Sequence, residues 1–143
     1  MTKRMLLALM AMAGVAIATY LTLYKTGAIG QLACSVGSCE TVNTSKWSTF
    51  LGLPVAAWGL GFYLLLLGVT LAGVQERWSA SLALSRVLLG LTLWGVLFSA
   101  WLTYLELFVI HAICVWCVTS AVLVAVMCVV SLLEYREQVA AQR

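Results

Sequence analysis

Four long stretches of this sequence contain no Asp, Glu, Lys or Arg, and they limit the folds that the chain can adopt. They cover residues 5–24, 47–75, 87–105 and 107–133. Each reaches the roughly 20 residues that a helix needs to span a bilayer. Of the chain's residues, 64% are hydrophobic and 9% are charged. In soluble domains about 45–50% of residues are apolar and about 25% are charged. The sequence therefore predicts an all-α fold, an integral membrane four-transmembrane-helix bundle.

The predicted helices cover about residues 5–24, 55–74, 87–105 and 114–133 of a single transmembrane domain, residues 1–143. One long outer loop, residues 25–54, joins the first two, and residues 41–50 are expected to form a short interfacial helix within it. A cleaved signal peptide is the alternative for the first block, but its apolar stretch is too long for a typical signal. Glycines in the second and third spans are expected to let helices pack closely: Gly59, Gly61, Gly68, Gly73, Gly90 and Gly95.

The basic residues predict the orientation. Lys25 and Lys46 lie in the outer loop, and the other six lie at the termini or in the link between the second and third helices: Lys3, Arg4, Arg77, Arg86, Arg136 and Arg143. Lys and Arg concentrate on the cytoplasmic side of membrane proteins. We therefore expect cytoplasmic termini, an outward-facing loop, and membrane lipid rather than nucleic acid as the partner of the basic residues.

Four of the five cysteines fall on the outward side as two close pairs, Cys34 with Cys39 and Cys114 with Cys117. The second pair has Cys-x-x-Cys spacing where the fourth helix begins, and a helix N-terminus stabilises the reactive thiolate. This stabilisation of the thiolate should be largest at Cys114, which is nearer the start of the helix. Cys117 lies one turn deeper, nearer an apolar oxidant. Cys128 lies inside the helix and is interpreted as structural.

Two close pairs indicate a relay of thiol–disulfide exchange, whose direction follows relative reduction potentials. Quinones in the bilayer are oxidising enough to accept the electrons of a periplasmic dithiol carrier. A zinc cage of four thiolates fits the mouth of a membrane helix poorly, so no metal is expected. The alternative from another class is a non-enzymatic membrane scaffold in which both pairs are structural disulfides.

The order of these motifs resembles the vitamin K epoxide reductase family: Cys34 and Cys39, then Ser45-Lys46-Trp47, then Leu51-Gly52-Leu53-Pro54, then Cys114-Val115-Trp116-Cys117. DsbB-type quinone reductases instead carry their Cys-x-x-Cys pair in the first outer loop. The resemblance implies a bacterial-type stand-alone member without a fused thioredoxin-like domain. Its implied location is the bacterial inner membrane, with the active site on the periplasmic side; the lumenal side of the endoplasmic reticulum is the alternative and has the same orientation.

The resemblance also implies roles for individual residues. Cys34 would exchange with a separate thioredoxin-like dithiol carrier, Cys39 would pass electrons to Cys114, and Cys117 would reduce a quinone of the menaquinone, ubiquinone or vitamin K type. This relay would support disulfide bond formation. The implied quinone-binding residues are Ser45, Trp47, Pro54, Val55 and Cys117. A helix cap is the alternative for Ser45, and an interfacial anchor the alternative for Trp47.

Three further positions qualify this expectation. Family members that reduce the epoxide present an Asn near the position of Val55 and a Tyr near that of Ala121, so a simple quinone is the expected substrate here. His111 is a candidate for tuning Cys114 or carrying a proton, but is expected to be an interfacial residue. Glu106 is likewise a candidate proton carrier, expected instead to end the third helix in the headgroups.

Overall fold

The computed structural model describes residues 3–28, 39–44 and 46–143, and its main feature is a bundle of long apolar helices. In the described residues, four helices are long and apolar enough to cross a membrane. They are α1 (Lys3–Lys25), α3 (Val55–Val74), α4 (Leu82–Tyr104), which continues as the π-helical segment Leu105–Ile110, and α5 (Val115–Ala141). The predicted all-α membrane bundle is confirmed.

The bundle has two chemically different ends. Both termini and the link between α3 and α4, which contains the 3₁₀ turn Glu76–Trp78, lie at one end, here called the terminal end. The connections between α1 and α3 and between α4 and α5 lie at the other, the loop end. α1 packs mainly on α3, and α4 mainly on α5. Fully buried Leu7, Leu66, Leu88 and Met127 form the centre of the core.

Burial in this bundle differs from that in a soluble protein, because small polar side chains join the apolar core while large apolar side chains cover the outside. Thr70 and Thr92 are completely buried, and their hydroxyls donate to backbone carbonyls within their own helices, those of Leu67 and Leu88, at 2.9 Å in both cases. Large apolar side chains such as Leu97 and Val122 point outward instead. Small polar residues inside and apolar residues outside are what a lipid solvent favours.

Arg4 joins several elements at the terminal end. Its guanidinium pairs with the Glu134 carboxylate of α5. It also donates to the carbonyls of Gly73 (2.9 Å) and Trp78 (2.7 Å) and to the Ser85 hydroxyl (3.0 Å). Arg4 and Glu134 are each only 5% exposed. The contacts tie the start of α1 to the end of α3, the link, α4 and α5.

The helices extend further into charged sequence than the pattern of apolar blocks suggests. α4 begins at Leu82 rather than residue 87, because the Ser81 side chain caps it by accepting from the Leu84 amide at 3.3 Å. α5 continues to Ala141 rather than residue 133, and Glu134 lies inside it against Arg4. A charge therefore did not mark a helix end in either place.

The expected interfacial helix over residues 41–50 is confirmed only for its first part, since a helix covers residues 41–44 but does not continue to residue 50. The chain forms a short helix α2 (Cys39–Thr44), a 3₁₀ turn (Lys46–Ser48) and two antiparallel strands, β1 (Thr49–Phe50) and β2 (Leu53–Pro54). Phe50 pairs with Leu53, which leaves Leu51 and Gly52 as a two-residue loop with φ of 52° and 82°. Such a hairpin loop needs positive φ at both positions, so Thr49 and Phe50 must be extended rather than helical.

Candidate active site

The pair Cys114 and Cys117 lies at the loop end, where α5 begins. Cys114 is the extended residue that precedes the first turn (φ −102°, ψ 118°), and its carbonyl accepts from the Val118 amide at 3.0 Å. Cys114 is fully buried, while Cys117 is a half-buried free thiol. The two thiols interact electrostatically with each other. This proximity lets both sulfurs take part in one redox centre.

The helix α2 lies near Cys114. Val42 of α2, Leu21 of α1 and Cys114 form one buried apolar cluster. α2 begins at Cys39, so the backbone of the outer pair's second cysteine leads directly into an element that shares this cluster with Cys114. The side chain of Cys39, the whole of Cys34 and Ser45 lie outside the described residues, so the sequence-based roles of these three stay predictions.

Glu106 is a second group at this centre. It belongs to the span Leu82–Ile110, and it is only 4% exposed even though its side chain is ionisable. Its Oε2 accepts from the Cys114 amide at 3.4 Å, and its carboxylate interacts electrostatically with the Cys117 side chain. The expectation that Glu106 ends the third helix among lipid headgroups is therefore wrong.

The backbone around Glu106 explains its position. Residues Leu105–Ile110 form a π-helical segment, which is rare and often found at functional sites. The segment ends at His111 in the left-handed conformation (φ 58°), and the amides of His111 and Ala112 both donate to the Glu106 carbonyl. The imidazole itself is exposed. This tight reversal starts α5 beside the Glu106 carboxylate.

A cavity of about 510 Å³ opens beside the redox pair. Trp47, Pro54, Val55 and Cys117, four of the five expected quinone-binding residues, all line it together with Glu106. Its volume falls within the roughly 300–1,000 Å³ that is common for small-molecule sites. The structure thus brings those four residues to one cavity, which is mostly apolar.

The hairpin and the preceding 3₁₀ turn cover this cavity. Trp58 of α3 donates its indole N–H to the Phe50 carbonyl at 3.0 Å, and the two rings meet edge to face. Lys25 at the end of α1 donates to the Ser48 hydroxyl at 2.8 Å. These contacts fix the cover at both sides, and Trp47 lies half-buried on the cavity wall between them.

Aromatic side chains of α3 and α4 form another wall of the cavity. Phe62 on α3 contacts Trp94 on α4, and Trp94 stacks on Phe98 with an angle of 6° between the rings. Trp94 is 56% exposed on the outside of the bundle. The cavity is therefore bordered by lipid-facing aromatic groups between these two helices.

Sequence reasoning missed one polar pair deeper in the same cavity. The Tyr63 hydroxyl lies 2.6 Å from the Ser120 hydroxyl, and both residues line the cavity. Ser120 lies one turn beyond Cys117 on the same helix face. The sequence signal for this pair is the spacing of Ser120 from Cys117, together with a tyrosine inside an otherwise apolar span. Tyr63 is 3% exposed, and a buried tyrosine hydroxyl usually needs a partner.

Four apolar spans around a cavity that has the inner thiol of a Cys-x-x-Cys pair on its wall are typical of a membrane thiol oxidoreductase. A protein-family model described as the vitamin K epoxide reductase family matches residues 5–132. The match covers every element described above, apart from the first two residues of α1 and the C-terminal part of α5. The chain belongs to this family, and it is a multi-pass membrane protein with oxidoreductase activity.

Proposed function

We propose that the chain oxidises the dithiol of a separate thioredoxin-like carrier and reduces a membrane quinone, and so supports disulfide bond formation. Electrons pass from the carrier to Cys34 and Cys39, then to Cys114 and Cys117, and finally to the quinone. The observation that carries the proposal is the position of the Cys117 thiol, on the wall of an apolar cavity and next to Cys114.

The final step balances as a two-electron exchange. The thiols of Cys114 and Cys117 lose two electrons and two protons, their S–H bonds break and an S–S bond forms. The quinone gains the same two electrons and two protons and becomes a quinol. Mixed disulfides connect the earlier steps, and the packing of α2 against Cys114 supports exchange between Cys39 and Cys114.

The cavity favours a simple quinone over an epoxide. Val55 and Ala121 both line it, and neither side chain can donate a hydrogen bond. We place the quinone ring against Cys117 beneath the segment from Trp47 to Pro54. Its apolar tail leaves between α3 and α4, past Phe62 and Trp94, where it meets lipid without crossing the polar loop end.

We also propose that the loop end faces the periplasm of a bacterial inner membrane. Besides Arg4, five basic residues belong to the segments at the terminal end: Lys3, Arg77, Arg86, Arg136 and Arg143. Positive charge of this kind holds the terminal end in the cytoplasm, so the redox pair opens to the compartment where dithiol carriers work.

The test uses the purified chain in detergent, a dithiol reductant and a short-chain quinone, with quinone absorbance followed without oxygen. Cys117→Ala should lower quinone reduction to the background rate, because Cys117 is the one cysteine on the cavity wall among the residues that the structure describes. Cys128→Ala is the matched control, since Cys128 lies about three turns along the same helix, and it should keep the wild-type rate. Retained turnover in Cys117→Ala would contradict the proposal.

A thiol count distinguishes the scaffold alternative. Addition of quinone to the reduced wild-type chain should consume thiols in pairs, because each quinol formed requires one disulfide. A thiol count that does not respond to quinone would instead favour structural disulfides.

A further inference from the structure

Glu106 is a buried carboxylate at the redox centre to which the proposed electron path gives no role. The structure describes two buried carboxylates, Glu106 and Glu134. Glu134 pairs with the Arg4 guanidinium, whereas the described contacts of the Glu106 carboxylate are the Cys114 amide and the Cys117 side chain. An ionisable side chain is costly inside a membrane span and commonly marks a functional site.

The position of this carboxylate matches the needs of quinone reduction. The Glu106 carboxylate accepts from the Cys114 amide at 3.4 Å, and Glu106 and Cys117 line the same cavity and interact electrostatically there. A group in this position can reach both the thiol that loses a proton and a substrate oxygen that gains one. In an apolar cavity few water molecules can carry protons, so a fixed carboxylate is the nearest carrier.

We propose that Glu106 is a catalytic acid–base residue, which takes the proton of the Cys117 thiol and delivers it to an oxygen of the quinone. This inference rests on the proposed function. As the Cys114–Cys117 disulfide forms, Glu106 accepts the Cys117 proton and then releases it to the reduced quinone, so it ends as the carboxylate it was at the start. The Cys114 proton accounts for the second O–H bond of the quinol.

Other charged or titratable groups border this site. The Cys114 thiol faces Glu106 from the start of α5, and the Lys25 ammonium at the end of α1 lines the same cavity while it donates to Ser48. The Tyr63 hydroxyl lies deeper, bonded to Ser120. Glu106 is the carboxylate among these groups, and it interacts with Cys117. A carboxylate in this position can exchange protons with both a thiol and a quinol oxygen.

The backbone makes the assignment testable with one substitution. Glu106→Gln keeps an oxygen that can accept from the Cys114 amide, so the start of α5 should stay in place. It removes only the ability to take a proton. General acid–base catalysis typically contributes about 10²–10⁴-fold to a rate, so kcat for quinone reduction should fall by about that factor, with little change in KM.

The experiment compares wild type, Glu106→Gln, Glu106→Asp and Glu137→Gln in the quinone assay from pH 5 to 9. Glu137→Gln is the control: it is the same chemical change at an exposed carboxylate of α5, outside the redox centre, and it should keep the wild-type kcat. Glu106→Asp keeps a carboxylate and should exceed Glu106→Gln. A base acts only when ionised, so the wild-type rate should fall at low pH, and the ratio of wild-type to Glu106→Gln rates should shrink there.

Each outcome supports or overturns the inference. A Glu106→Gln variant with wild-type kcat and an unchanged rate ratio across pH overturns it, while the proposed function stands. A wild-type chain that does not reduce quinone overturns both. If Glu106→Gln does not purify in a folded form, Glu106→Ala with added formate replaces it: a rate that rises with formate supports the inference, and a rate that does not respond overturns it.

Discussion

Gly14 on α1 faces the ring of Tyr63, and the contact leaves no space for a side chain. A Cβ at this position would lie 2.2 Å from the Tyr63 Cδ1 atom. The ring cannot swing aside freely, because its hydroxyl is bonded to Ser120. The sequence-based list of close-packing glycines did not include Gly14.

Gly14→Ala should therefore destabilise the bundle by about 1–3 kcal/mol, the usual cost of overpacking a core. Gly68→Ala is the matched control, since a Cβ there meets nothing within 4 Å. It should be neutral or stabilise by about 0.5–1 kcal/mol through helix propensity. Thermal unfolding in detergent measures both, and equal midpoints for the two variants would contradict the packing described for Gly14.

The other glycines show what a sequence can say about packing. Gly73 and Gly95 do lie against neighbouring side chains, those of Leu84 and Phe62 among others. A Cβ at Gly59, Gly61, Gly68 or Gly90 would meet nothing within 4 Å. Because α3 is apolar on all sides, its sequence gives no periodicity that distinguishes the packed face from the lipid face. The expected close packing therefore holds for only part of that set.

Glu106 could not be placed correctly from sequence for a different reason. A carboxylate near the end of an apolar block is usually at the membrane surface. Its burial depends on the π-helical segment and on the left-handed His111, which together turn the chain back over it. Neither feature has a reliable local signal, whereas the Cys-x-x-Cys spacing and its position at the start of a span could be read directly.

Among the elements, α1 and α5 depend on each other through the pair Arg4 and Glu134. Removal of one partner leaves a buried charge without compensation, which typically costs about 3–5 kcal/mol. Arg4→Ala and Glu134→Ala should each lower the unfolding midpoint in detergent strongly. The double variant Arg4→Met with Glu134→Leu should recover much of that loss, because two apolar side chains of similar size need no partner.

The pair at the surface provides the control for that series. Lys3 and Glu137 join the same two helices at 2.7 Å, but their side chains are 37% and 64% exposed. Exposed pairs contribute only about 0–1 kcal/mol, so Lys3→Ala should change the midpoint little. A loss from Lys3→Ala as large as that from Arg4→Ala would show that burial is not what makes the Arg4 pair important.

The hairpin is an element whose role emerged only from the structure. Leu51-Gly52-Leu53-Pro54 was recognised as a family motif, but its two-residue turn and its contact with Trp58 were not expected from sequence. The helical expectation for residues 41–50 does not hold at Thr49 and Phe50, because the turn at Leu51 and Gly52 and the pairing with Leu53 and Pro54 require extended backbone there. The cover over the cavity thus depends on the residues that follow Phe50.

At the scale of the whole molecule, the proposed relay joins the outer loop to the last helix. If reduced Cys39 attacks the Cys114–Cys117 disulfide, the product joins Cys39 to Cys114, and Cys34 is the thiol that resolves it. Cys34→Ala should therefore accumulate a Cys39–Cys114 crosslink, which closes a loop of 114 − 39 = 75 residue steps. Peptide mapping under non-reducing conditions would detect it.

The control for this trap is Cys34→Ala with Cys39→Ala, which should show no crosslink to Cys114. An intact Cys114–Cys117 disulfide together with a free Cys39 in the single variant, under conditions where wild type turns over, would show that the two pairs do not communicate through Cys39.

The contact between Arg4 and Glu134 also affects how the protein is made. The two residues are 134 − 4 = 130 positions apart, and a ribosome adds about 5–20 residues per second. Arg4 therefore waits on the order of ten seconds for its carboxylate, while the intervening helices enter the membrane. A chain that stops before α5 lacks the carboxylate that pairs with Arg4, so the terminal end of the bundle can close fully only after the last helix has been made.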